Sequence, residues 1–387
     1  MASSVAQGTS QDSNAAPAGI WKVIIAASAG TMIEWYDFYL FGSLTFVIAS
    51  YFFHTTDPNK DVLLWLATYA TGFLVRPFGA LVFGRIGDIV GRKADSGGVT
   101  GATLWSHSHK AKHLGVLPNG DYSSATSIND AGEITGVSNT GSAIVPFVWS
   151  DKNGLQRLPL FGGDNCGQAV AINKHGDVAG YSSGLNGSRA YLWSRKTGIR
   201  ILNILPSGTY SRAHDINDSD EVAGVSNTAD GDRAALWTRD GSIRDLGTLP
   251  GDLTSEALAI NNRGDVVGYS QGPSGMRAFL WTRSDGMKPL GILPGGNSSR
   301  ALAINDSGVI VGSSTSSSGD RAFIWTEETE MTDLNNASSA GLDLVLFEAH
   351  AINNKGQIIA MGGPVASVGH EQCAPAPPAA FLLTPTR

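Results

Sequence analysis

Beyond Lys22 at the start of the first run, three ionisable residues stand inside apolar stretches: Glu34 and Asp37 within residues 20–53, and Arg76 within residues 62–84. A charge placed in a bilayer-length apolar run is costly, so such groups mark proton or solute paths unless they sit at a span end and see water. A second set recurs along the chain. Arg189, Arg233, Arg277 and Arg321 fall 44 residues apart. Together they could hold an anion, or pair with the Asp residues, which is the plainer expectation. His107, His109 and His113 are close in sequence, but a metal needs fixed, convergent ligands. The corresponding positions further on are Arg239, Gly241 and Asp245, which reads as a variable loop. Repeated Asn-Asp pairs could suggest calcium, and turn formation explains them better. No nucleophile elbow, phosphate loop or pair of catalytic acids stands out. No catalytic residue, metal or cofactor is expected, and the chain does not read as an enzyme.

The elements that would carry these residues fall into two unlike parts. Residues 1–19 are small and polar, read as a disordered tail without the basic start and apolar core of a cleavable leader. Residues 20–53 and 62–84 are apolar, joined by the polar turn HTTDPNKD. Each exceeds the roughly 20 residues that cross a bilayer as a helix, so residues 20–93 read as a two-helix transmembrane hairpin whose partner is the lipid bilayer. Arg85, Arg92 and Lys93 follow the second run, which places both ends of the hairpin in the cytoplasm.

The stretches Gly30 to Phe38 (GTMIEWYDF), Val75 to Gly79 (VRPFG) and Gly84 to Lys93 (GRIGDIVGRK) together resemble the start of a major facilitator superfamily transporter, closest to its metabolite:proton symporter branch. The resemblance covers about residues 18–93. It implies transport-related roles for Glu34, Asp37 and Arg76. It also implies a cytoplasmic loop motif made by Gly84, Gly87, Asp88, Gly91, Arg92 and Lys93. Such transporters need about twelve helices, with the substrate path between two halves. Two helices are therefore expected to be a truncated major facilitator fold that does not transport by itself. Three readings follow: a membrane-anchored repeat protein with a binding or structural role, a transporter by membership of its first part, or an accidental gene fusion near residues 93/94.

From residue 94 to the end the chain repeats. Trp105, Trp149, Trp193, Trp237, Trp281 and Trp325 are each 44 residues apart. With Trp as position zero, Leu recurs at plus nine, Ala at plus twenty, Asn at plus twenty-four and Gly at plus thirty-one. Each copy holds four short strand-like runs bounded by Gly, Pro, Asn and Ser. The Ile-Asn-Asp-Ser-Gly pattern reads as a tight hairpin with Gly308 in a left-handed position. Four strands per copy predict an all-β domain over 94–387, a six-bladed β-propeller whose Trp residues fill the layers between blades. A β-solenoid is the alternative. The extra terminal strand around Phe381 would share one blade with the first copy. The recurring RAFLW, LGxLPGG and AINxxGxVVGxS elements resemble HAF-type repeats, which are predicted to be extracellular, whereas the hairpin topology predicts a cytoplasmic face of the inner membrane.

Charge separates the parts as well. Residues 1–93 hold six Lys/Arg and six Asp/Glu, so the repeats hold the other 21 and 28 of the totals 27 and 34 and carry the whole net charge of −7. An acidic repeat domain is a poor partner for nucleic acid. Cys166 and Cys373 are too few for a disulfide framework. The ligand of the repeats is not legible in the sequence.

Overall fold

The computed structural model describes residues 91–94, 100–105, 111–185, 187–337, 344–364 and 379–385. The expected transmembrane hairpin, with Glu34, Asp37, Arg76, Gly84, Gly87 and Asp88, lies outside the described residues, as do His107 and His109. Among the described residues no helix is long and apolar enough to cross a membrane.

What is described is almost wholly β. Five antiparallel four-stranded units follow one another, flanked by a three-stranded sheet at each end. The first two of the five are linked by one parallel pair, Ile144 with Cys166. A representative unit, the fifth sheet in chain order, consists of Thr254–Ile260, Val266–Gly272, Gly275–Thr282 and Gly286–Gly291. Only the third strand is the apolar run that ends in Trp. A lone sheet of this size would leave both faces wet, so each packs on its neighbours. Accordingly every core is shared between adjacent sheets. One joins Leu192, Leu202 and Ala190 to Ile216, Val222 and Trp237. The next joins Leu236, Leu246 and Leu249 to Ile260, Val266, Phe279 and Trp281.

The expected core positions are buried except at two tryptophans. All six plus-nine leucines are buried, as are Trp149, Trp237, Trp281 and Trp325, while Trp193 is half-buried. Trp105 is 42% exposed, a correction to its place as a core residue. Among the described residues it lies in the first sheet, whose packing is against the sheet that follows. Buried tryptophans also receive a cation from the preceding sheet: Lys112 over Trp149, Arg244 over Trp281 and Lys288 over Trp325, at 4.9, 5.2 and 5.9 Å.

The ends differ from the expected shared blade. Ala379–Leu383 pairs with Ile358–Pro364 and so completes its own sheet with Leu344–Ile352. At the other end Gly91–Ala94 pairs with Thr100–Trp105, Gly91 opposite Thr103. Each end strand fills the edge that sharing would have required. Gly91, Arg92 and Lys93, expected in a loop, thus lie on a strand that runs across the 93/94 junction.

Candidate functional site

The Ile-Asn hairpins of six sheets meet around one cavity of about 520 Å³. Each Asn first serves its own turn. Asn217 Oδ1 accepts from the N–H groups of Ser219 and Glu221 at 2.9 and 3.0 Å, an Asx turn. Gly308 lies at φ +84° as the turn pattern predicts. Sequence reading missed the second role. The amide of Asn129 donates to the Asn173 carbonyl, Asn173 to Asn217, Asn217 to Asn261, Asn261 to Asn305 and Asn305 to Asn353, at 3.0 to 3.3 Å. The next residue adds a parallel row: the N–H of Asp218 donates to Asn262 Oδ1, Asn262 to Asp306 and Asp306 to Asn354. A turn residue whose amide also satisfies the next sheet's buried carbonyl explains its recurrence. Replacing Asn217 by alanine strips several buried hydrogen bonds and is expected to cost about 2–3 kcal/mol, measured by urea denaturation. Asp218→Ala on the wetter row should cost about 1 kcal/mol or less.

Alternation along the first strand of each sheet then sets a second surface. In Ser211–Ile216, Ser211 and Ala213 are buried while Arg212 is exposed and His214 half-buried on the other side. The buried serines are staples: Ser211, Ser255 and Ser299 accept the N–H of Ala190, Ala234 and Ala278 on the preceding sheet. The outward residues form a polar belt across sheets. Tyr181 donates to Gln168 Oε1 at 2.8 Å. The Arg212 guanidinium lies 5.4 Å from the Tyr181 ring and 5.9 Å from the Tyr210 ring. His214 Nε2 is 2.7 Å from Glu256 Oε1, and Tyr269 donates to Glu256 Oε2 at 2.5 Å. Arg300 donates to Glu348 at 2.9 Å, and His350 pairs with the same carboxylate.

Electrostatics follow from these contacts. Burial pulls the Glu256 carboxyl up, but the His214 ring 2.7 Å away, the hydrogen bond from Tyr269 and the nearby Arg212 charge outweigh it and hold the group below its usual range. Burial and the bond to Glu256 push the Tyr269 hydroxyl well above its ordinary value. This is an arrangement that keeps the proton on Tyr269 and can orient a polar ligand.

Asp215, on the same strand, is a different case. It stands where neighbouring sheets have Ala171 and Ala259, and accepts from the N–H of Ile216 and Ile260. Burial raises its carboxyl to about 6 against those two bonds and the charge of His214. Because the folded value lies above the unfolded one, the native state binds the extra proton between about pH 4 and 6. Stability should therefore fall as pH rises through that window. Urea midpoints at pH 4.5 and 7 should differ more for the natural chain than for Asp215→Ala.

The other expected candidates disperse. Arg189 and Arg233 donate to the carbonyls of Thr209 and Leu253, Arg277 pairs with Asp252 at 2.7 Å, and Arg321 lies 3.8 Å from Asp333. They brace loops as pairs, not as an anion ring. His113 Nδ1 lies 3.1 Å from Thr103 Oγ1. Among the described residues no group of three His, Cys, Asp or Glu is placed to hold a metal ion. The belt left one sequence signal: residues at plus nineteen and plus twenty-one vary between copies while their neighbours repeat.

Known proteins match the two parts separately. Residues 22–97 match the family model "Sugar (and other) transporter". The proline/betaine transporter of Escherichia coli K12 is 35% identical over 100 residues, 26% of this chain and 19% of the relative. The inner membrane metabolite transport protein YhjE of the same organism is 45% identical over 98 residues, 25% of this chain and 21% of the relative. The chain therefore spans about a fifth of the length of the curated relatives it matches. Among solved structures, the β-propeller domain of the Trilobed protease from Pyrococcus furiosus aligns with a TM-score of 0.45 and 10% identity, covering 72% of this chain and 86% of that one. TolB from Acinetobacter baumannii aligns at 0.42 and 12%, covering 60% and 58%.

Proposed function

A transporter-like N-terminal segment and a propeller-like all-β domain lie in one chain, and we propose that the first anchors the second at a cell membrane as a binding module. The observation that carries the binding role is the belt. A frame of Ser, Ala, Asn and Gly repeats from sheet to sheet, whereas the outward residues change: Gln168, Arg212, Glu256, Arg300 and Glu348. Repeat proteins present ligand-reading side chains on such constant scaffolds. Transport by this chain is not part of the reading, because sheets follow the transporter-like segment directly, with Gly91–Ala94 already paired in the first of them. Charge placement around residues 85–93 supports a cytoplasmic position for the repeats.

The test uses the full chain in detergent. Its thermal midpoint is followed against a panel of amino acids, betaines, small carboxylates and aromatic solutes. At least one class should raise the midpoint, and the shift should vanish in Arg212→Ala/Glu256→Gln. A panel without effect, or a shift unchanged in that variant, overturns the binding role. In proteoliposomes holding only this chain, proline uptake should not exceed that of empty vesicles.

A further inference from the structure

The fourth and sixth sheets share an Arg, an acid near it and a Glu from the next sheet, and the sixth has no ring where the fourth has Tyr210. At the fourth sheet the Tyr210 ring lies under the Arg212 guanidinium, and its hydroxyl bonds to the Asp232 carboxylate. Glu256 of the next sheet closes the group. The sixth sheet has Arg300 for Arg212 and Asp320 for Asp232, each 88 residues on, and Glu348 takes the place of Glu256. Ser298 stands where Tyr210 would be. The backbone is held alike at both places. Asn227 Oδ1 accepts the N–H groups of Thr209 and Tyr210 at 2.7 and 2.9 Å, and Thr315 Oγ1 accepts those of Asn297 and Ser298 at 2.8 and 2.9 Å. A cavity of about 280 Å³ opens at Ser298, lined also by Arg300, Asp320, Glu348, Met276 and Phe347.

We propose that this cavity binds a phenolic ring, its face on the Arg300 guanidinium and its hydroxyl donating to Asp320. The chemistry of the lining narrows the choice. A carboxylate attracted by Arg300 would meet Asp320 and Glu348, and an ammonium attracted by those acids would meet Arg300. A neutral ring satisfies both, through a cation–π contact and a charge-assisted hydrogen bond. Met276 and Phe347 supply apolar wall. The Tyr210 side chain is the chain's own example of the fit. The inference rests on the reading of the repeats as a binding module and names the ligand class for one part of it.

The test is a titration of the full chain in detergent with p-cresol and with toluene. Partition into detergent is common to all variants and cancels in the comparison. The natural chain should bind p-cresol saturably and toluene about tenfold or more weakly, since a site built for a hydroxyl rejects the analogue without it. Ser298→Tyr should abolish p-cresol binding without lowering the thermal midpoint, because the new ring fills the cavity. Asp320→Ala should bring p-cresol down to the toluene level, which keeps the inference testable should the tyrosine variant fail to fold. Equal binding in the natural chain and Ser298→Tyr, or equal binding of p-cresol and toluene, overturns it. Competition by acetyl-Gly-Tyr-Gly-amide assigns the ring to a peptide; p-cresol binding without such competition assigns it to a free phenol. A failed p-cresol titration beside a thermal response lost in Arg212→Ala/Glu256→Gln removes this inference alone.

Discussion

Gly268→Ala should destabilise the repeat domain by about 3 kcal/mol or more, the range in which a backbone clash exceeds ordinary surface effects. The cause is close approach and not an unusual backbone angle. Gly268 pairs with Ala257 beside the irregularity between Ala257 and Ala259. A Cβ added there would overlap the carbonyl oxygen of Glu256 and crowd the Cα of Ala257 at 3.0 Å. Both neighbours are backbone of a paired strand, so neither can swing away as a side chain could. The same overlap awaits a Cβ at Gly136, Gly180, Gly224 and Gly312, which is why glycine recurs at plus thirty-one. Urea denaturation followed by tryptophan fluorescence should show the loss. Gly286→Ala offers the contrast. Its φ of +73° strains any other residue, but the added Cβ meets nothing within 4 Å. The loss should be about 1 kcal/mol, the ordinary cost of a left-handed alanine.

The second large effect separates two tryptophans that look alike in sequence. Trp237 is fully buried, packs with Leu192, Leu202, Ile216 and Val222, and donates its indole N–H to the Asn203 carbonyl at 2.7 Å. Trp237→Ala should cost about 3–5 kcal/mol, the range for emptying a buried aromatic site. The carbonyl of Asn203 loses its donor as well. Trp105 is 42% exposed, and Trp105→Ala should cost about 1 kcal/mol or less on the same area argument. Comparable losses at both sites would show that the first sheet is covered in solution by something more than its neighbour.

These two tests also mark what the sequence could and could not tell. Spacing of 44 residues revealed the sheets, the leucine layers and the glycine turns, because each sheet makes the same local demands. Trp105 obeys the spacing and is still exposed, since burial needs a sheet on each side and, among the described residues, the first sheet packs on the one that follows. The Asn residues were legible as turn formers because an Asx turn is local. Their bonds from sheet to sheet link residues 44 or 48 apart, and no local pattern carries that. The separate end sheets were hidden for a related reason: which edge a terminal strand joins depends on competition between distant partners. The belt from Gln168 to Glu348 was invisible to a search for recurrence, because its members vary. The spacing of that variation, every second residue on a strand that otherwise repeats, was the signal available.

The central claim is that one continuous chain joins a bilayer-embedded N-terminal segment to the repeat sheets. Alkaline carbonate extraction of membranes from cells making the full chain tests it most directly. The account predicts that a 40.4 kDa product stays in the membrane pellet through carbonate and high salt and is freed only by detergent. Release of the intact product by carbonate would contradict it, as would finding the repeats only as a shorter, separate polypeptide.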